Sequence, residues 1–161
     1  MDIIEKDVDK NLDFLVAKSR ELLQEQLKSY ESSNSKAGVL ISISSLLIPI
    51  ALSFISSANT LFYIKILTIL PTALMILALS FLLKVLMPKG LDNGFNFEQF
   101  EKIINGTHNK LLLFEIGANK DSYYQNSPIV KKHNRNFKAG VILISISAII
   151  LFILITISLI I

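Results

Sequence analysis

The sequence contains no cysteine, which excludes both disulfide bonds and thiolate metal sites. Its two histidines, His108 and His133, show no H-x-x-x-H or H-E-x-x-H spacing. The six glycines are scattered, so there is no phosphate-binding loop of the Walker or dinucleotide type and no G-x-S-x-G elbow. We therefore expect neither a metal nor a cofactor and predict that the protein is not an enzyme.

The chain also lacks the apolar core of a signal peptide at its start, because residues 1–31 are rich in acidic and basic side chains. The first hydrophobic run must therefore direct membrane insertion. The formal net charge is only +3 and is unevenly distributed. This pattern indicates membrane topology, and we expect no nucleic-acid partner.

Hydrophobic residues make up 52% of the chain and are concentrated in three runs, unlike the pattern of a soluble core. Two runs begin alike: residues 34–50 read NSKAGVLISISSLLIPI, and residues 136–150 read NFKAGVILISISAII. From residue 139 to 161 there is no charge, and at about 1.5 Å per residue this run crosses a hydrocarbon core of about 30 Å. The sequence predicts an all-α membrane protein with three transmembrane helices, at residues 36–57, 61–87 and 139–161.

The first two spans form an antiparallel hairpin, since only the polar turn SANT at residues 57–60 separates them. Pro49 and Pro71 lie inside these spans, where membrane helices tolerate proline if neighbours satisfy the freed carbonyl groups. Lys65 and Lys84 lie near the ends of the second span. We expect both to snorkel to the interface, with a pore function of Lys65 as the alternative.

Two polar segments accompany the spans. Residues 1–35 predict an amphipathic helix, in which the patch at residues 32–35 is either a hinge or continuous helix. Residues 88–138 predict a helical segment that a turn at Asn105 and Gly106 would divide. The apolar residues expected on the first helix are Ile4, Val8, Leu12, Leu15, Leu22, Leu23, Leu27 and Tyr30, and those on the second segment are Phe97, Phe100, Ile104, Leu111 and Phe114.

Positive charges predict the orientation in the membrane. Six Lys and Arg residues precede the first span, one lies near the hairpin turn, nine lie from Lys84 to Lys138, and none follows. The positive-inside rule then places both polar segments in the bacterial cytoplasm. We expect a multi-pass protein of the inner membrane with its N-terminus in the cytoplasm and its C-terminus outside.

A basic cluster before the third span is the best candidate for a site. One interpretation is charge that sets topology and contacts anionic lipid; the other is a cradle for an anion or a nucleotide phosphate. A lysine at the matching position of the first span would assist it. The candidate residues are Lys131, Lys132, His133, Arg135, Lys138 and Lys36.

The apolar stripe of the first polar segment must be covered, because each large side chain left in water forgoes roughly 1.5 to 3 kcal/mol of burial. The net charges of the two polar regions are opposite: −2 for residues 1–36 (six minus eight) and +4 for residues 84–138 (nine minus five). We therefore predict that the two regions pair and that several protomers join in a cytoplasmic helical bundle.

The order of these elements resembles the membrane effectors of bacterial Pycsar antiphage systems and the broader SMODS-and-SLOG-associated transmembrane effectors. The resemblance rests on NSKAG at residues 34–38, FEQF at residues 97–100 and HNRNFKAG at residues 133–140. It implies an effector that responds to a cyclic nucleotide made by a partner cyclase and then damages the inner membrane.

We accordingly predict a membrane effector that forms homo-oligomers and permeabilises the inner membrane on a cytoplasmic signal. Two alternatives stay open. One is a holin-like protein that opens holes without a ligand, and the other is an accessory subunit that anchors a soluble partner.

Overall fold

The computed structural model describes residues 2–56, 61–96, 99 and 103–160, and among these it describes side chains from Asn11 onward except Leu159. It contains the helices α1 (Asp2–Ser56), α2 (Phe62–Leu86) and α3 (His108–Ile160). All three are long and apolar enough to cross a membrane, and the described residues include no strand. The predicted fold class is therefore confirmed. The predicted turn at residues 57–60, the residues Phe97 and Phe100, and the side chains of Ile4 and Val8 lie outside the described part of the chain.

The long helix α1 runs without interruption through the polar patch at residues 32–35. Of the two alternatives, the continuous helix is the one that forms, so residues 1–35 do not make a separate helix. Serine and asparagine cost a helix only about 0.5 kcal/mol each relative to alanine, and neither glycine nor proline occurs before Gly38. Buried residues recur along α1 at intervals of seven: Val16, Leu23, Tyr30, Ala37, Ser44 and Ala51.

The helix α3 begins after a turn that ends at Gly106, whose backbone N–H donates to the Ile103 carbonyl at 2.7 Å. The interruption expected at Asn105 and Gly106 therefore occurs. From His108 onward the helix is continuous through Pro128 to Ile160.

The chain divides into two compact units. The charged unit comprises Met1–Glu31 and Lys89–Lys131, and the membrane unit comprises Ser32–Pro88 and Lys132–Ile161. All 13 acidic residues of the sequence lie in the charged unit. The membrane unit contains six Lys and Arg residues and no Asp or Glu.

In the membrane unit, α1 and α3 are parallel and α2 is antiparallel to both. The Ser33 hydroxyl donates to the Asn134 side-chain oxygen at 3.1 Å, and Ala51 packs in one cluster with Leu151. Residue numbers therefore rise together on α1 and α3, at a separation close to 100. This alignment places the two copies of the N-x-KAGV repeat beside each other.

Small residues bring the membrane helices close together. Ala37 and Ala78 are fully buried in a cluster with Leu82, Val85 and Ile144. A Cβ atom at Gly140 would lie only 2.6 Å from the Leu82 side chain. In lipid, such close approach is a main source of helix association, because burial of apolar surface supplies little drive there.

In the charged unit, the buried residues of α1 among the side chains described from Asn11 onward are Val16, Leu23 and Tyr30. Leu15 and Leu22, which were expected on the stripe to be covered, are 50% and 43% exposed in the chain. The difference arises because burial follows the seven-residue interval through Val16 and Leu23, and their sequence neighbours point to another side of the helix.

Candidate functional site

The six residues predicted to form a basic site are divided between the two units. Lys131 lies in the charged unit and is exposed. In the membrane unit, Lys36, Lys132, Arg135 and Lys138 are exposed, whereas His133 is 0% exposed. Helix geometry explains the contrast on α3: positions 132, 135 and 138 recur on one face, and position 133 is turned from 132 by about 100°. The two interpretations of this set stay predictions.

The charged unit contains a groove between α1 and α3 with a volume of about 290 Å³. Lys131 lines it together with Tyr123 and Glu25. A second groove of about 220 Å³ shares Leu22 and Tyr123 with the first. The remaining lining residues of the first groove are Leu22, Gln26, Ser29, Ser127 and Val130. The groove thus combines one cation and one carboxylate with a phenol ring and several hydroxyl groups, which can hold a small polar molecule.

Asn126 fixes the loop before α3 to the helix. Its side-chain oxygen accepts from the Asp92 N–H at 2.9 Å, and its amide nitrogen donates to the Asp92 carbonyl at 2.7 Å. Asn126 is only 1% exposed. The buried Asn126 side chain thereby has a hydrogen-bond partner for both its oxygen and its nitrogen, as burial requires.

Asn119, two helical turns before Asn126, contacts the same loop. Gly94 has φ of +86°, and its N–H donates to the Asp92 carboxylate at 3.0 Å. A Cβ atom at Gly94 would collide with the Asn119 side chain and lie 2.8 Å from Leu23. Asn119 in turn donates to the Ser19 hydroxyl on α1 at 3.1 Å. Gly94 is thus required by both its backbone conformation and its surroundings.

An ion pair also joins α1 to α3 in the charged unit. Arg20 binds the Glu115 carboxylate through Nε and through Nη2, the latter at 2.7 Å. This hydrogen bonding raises the pKa of the Arg20 guanidinium above its ordinary value. Nearly two turns further along α1, the Gln26 amide donates to the Tyr123 carbonyl at 3.1 Å.

The described residues contain no group of three or more His, Asp or Glu side chains that could hold a metal ion. Asn119 and Asn126, two buried polar side chains on α3, make structural contacts. The sequence pattern did not indicate these two asparagines. The available signal was their spacing of seven residues, which matches the interval of the buried positions on α1.

Length, apolar composition and the parallel–antiparallel packing define the class of this molecule: it is a multi-pass helical membrane protein with a second, charged unit. Within that class, the family described as the Pycsar effector protein domain matches residues 18–160. The chain belongs to this family, which is an effector family and not a known enzyme family. The resemblance found in the sequence is therefore confirmed. No curated protein and no solved structure matches the chain.

Proposed function

We propose that this protein is a non-enzymatic effector of an antiphage system that assembles from several copies and permeabilises the bacterial inner membrane. Membership of the Pycsar effector family supports the role in antiphage defence. In this proposal the charged unit lies in the cytoplasm and receives the signal, as the distribution of Lys and Arg predicts.

The hydroxyl groups of the membrane unit are the observation that carries the requirement for several copies. Ser44 donates to the Leu40 carbonyl at 2.8 Å, and Thr68 and Thr72 donate to carbonyls four residues earlier. These groups are satisfied within their own helices. Between helices, the Ser147 hydroxyl donates to the Pro71 carbonyl at 2.6 Å. Because the two buried clusters of the membrane unit consist of apolar side chains, a water path needs surfaces from more than one protomer.

The groove that contains Lys131 and Tyr123 is the proposed receptor for the signal. A cyclic nucleotide has a planar base and a single anionic phosphate. Tyr123 offers a ring for the base, and Lys131 offers a cation for the phosphate. The other basic residues predicted for the site all lie in the membrane unit. The proposed receptor does not include them.

The test is expression with and without a partner cyclase while a dye reports the membrane potential. Depolarisation that requires both proteins supports the proposal. A matched pair of variants, Lys131→Gln and Lys110→Gln, separates ligand recognition from general charge, because both lysines are exposed in the charged unit but only Lys131 lines the groove. Only the first should abolish the response.

Two experimental outcomes would each indicate a different function. Lysis at moderate expression without any second protein would indicate a holin-like protein. Co-purification of one soluble partner, with no depolarisation under phage challenge, would indicate an anchoring subunit.

A further inference from the structure

Five of the six basic residues of the membrane unit lie at one end of it. Lys36 is on α1 and Lys84 on α2, and Lys132, Arg135 and Lys138 are on α3; all five are exposed. Their common level follows from the packing beside them, since Ala37, Val85 and Phe137 belong to one cluster. The sixth, Lys65, lies near the opposite end of α2. We name the five residues Lys36, Lys84, Lys132, Arg135 and Lys138 the basic collar.

The collar has no carboxylate to neutralise it within its unit. The membrane unit contains no Asp or Glu, so its formal charge is +6 (six minus zero). The charged unit differs: there, Arg20 is paired with Glu115 and Lys18 with Glu21. The collar cations therefore require counter-ions from outside their unit.

Apolar side chains adjoin the collar on α1 and α2. Val39 and Leu83 are 61% and 51% exposed, and they lie within three residues of Lys36 and Lys84. The Lys84 ammonium group also lies 5.5 Å from the centroid of the Phe81 ring. An anion that carries acyl chains would satisfy both the cations and the apolar surface, whereas a free phosphate would leave the apolar surface uncovered.

We propose that the basic collar binds the phosphate groups of anionic phospholipids such as phosphatidylglycerol. Guanidinium and ammonium groups on three helices then share the phosphates, and the acyl chains follow the exposed apolar residues toward the centre of the membrane. This assignment concerns lipid recognition by the resting protein and does not depend on the proposed effector function.

The test uses the full chain reconstituted in phosphatidylcholine vesicles that contain spin-labelled phosphatidylglycerol or spin-labelled phosphatidylcholine. Electron spin resonance measures the fraction of each label that the protein immobilises. We expect a preference for phosphatidylglycerol of about fivefold or more, which is the effect of a single cation near an anionic surface. The combined variant Lys36→Gln, Lys84→Gln, Lys132→Gln, Arg135→Gln and Lys138→Gln should bind both labels nearly equally.

The matched control carries Lys18→Gln, Lys28→Gln, Lys89→Gln, Lys110→Gln and Lys120→Gln, which remove the same charge from the charged unit, and it should keep the preference. A variant that retains the collar charges, with lysine and arginine exchanged at all five positions, should also keep it. If the combined glutamine variant fails to insert, a salt titration of the parent protein decides the matter, because the preference must fall as salt rises.

Three results would overturn the proposal. They are equal immobilisation of the two labels by the parent protein, an unchanged preference in the collar variant, and a preference that does not respond to salt. Displacement of the lipid label by micromolar nucleoside monophosphate would instead assign the collar to a soluble phosphate ligand and would equally overturn it.

Discussion

The charged unit and the membrane unit both contain parts of the two long helices α1 and α3. Different interactions stabilise each unit. In the charged unit, side-chain amides and an ion pair join the elements, as Asn126 does at Asp92 and Arg20 at Glu115. In the membrane unit, alanine and glycine allow close contact, as at Ala37 and Gly140. The comparison shows that the surroundings determine which contacts stabilise each unit. In water, buried polar groups must be hydrogen-bonded, whereas in lipid the close packing of small residues stabilises helix association.

The largest expected effect comes from filling the closest contact of the membrane unit. Gly140→Leu should lower the free energy of unfolding by about 3 kcal/mol, because its Cβ would lie 2.6 Å from the fully buried Leu82. Unfolding in mixed micelles, followed by circular dichroism, measures the change. Gly38→Leu is the matched control, since no atom lies within 4 Å of its Cβ position. Equal losses in the two variants would show that Gly140 does not mark a packing contact.

The second effect tests polar matching in the charged unit. Asn126→Ala should cost about 2 kcal/mol, because it removes two hydrogen bonds and leaves the Asp92 N–H and carbonyl without their partner. Hydrogen exchange should rise in the segment around residues 89–96. The exposed neighbour Gln125→Ala serves as the control and should change neither quantity. Unchanged exchange in the Asn126 variant would mean that the loop is held by other contacts.

A smaller effect is expected for the ion pair. A double-mutant cycle of Arg20→Ala and Glu115→Ala should give a coupling energy of about 0.5 to 1 kcal/mol, since the Arg20 side chain is 57% exposed. The coupling should decrease with added salt. A coupling that is insensitive to salt would contradict the view that electrostatics joins α1 to α3 in this unit.

The smallest effect is expected for the hydroxyl that links two membrane helices. Ser147→Ala should cost about 0.6 kcal/mol, the average for hydrogen bonds between membrane helices, and salt should not alter the loss. Ser42→Ala is the control, because that hydroxyl bonds only within α1. A loss above about 2 kcal/mol would show that polar contacts dominate in the membrane unit as well.

Hydrophobic runs and the N-x-KAGV repeat were sufficient to predict the helical spans, because a long uncharged run has few alternatives in a membrane. The burial of Val16 instead of its neighbour Leu15 could not be predicted, since both residues are apolar and adjacent. The contact made by Asn126 could not be predicted for a different reason. Its partner is the backbone of Asp92, 34 residues away, and the seven-residue spacing from Asn119 does not identify that partner.

The hydrogen bond between Ser19 and Asn119 also has a consequence during synthesis of the chain, because it can form only after both residues have been made. The two residues are 100 positions apart, and synthesis proceeds at about 5 to 20 residues per second. Roughly 5 to 20 s therefore pass between the synthesis of Ser19 on α1 and that of Asn119 on α3. During that interval Val16 and Leu23 have no α3 to cover them. The early polypeptide therefore presents an acidic helix with an open apolar side at the ribosome, which is the kind of surface that chaperones bind.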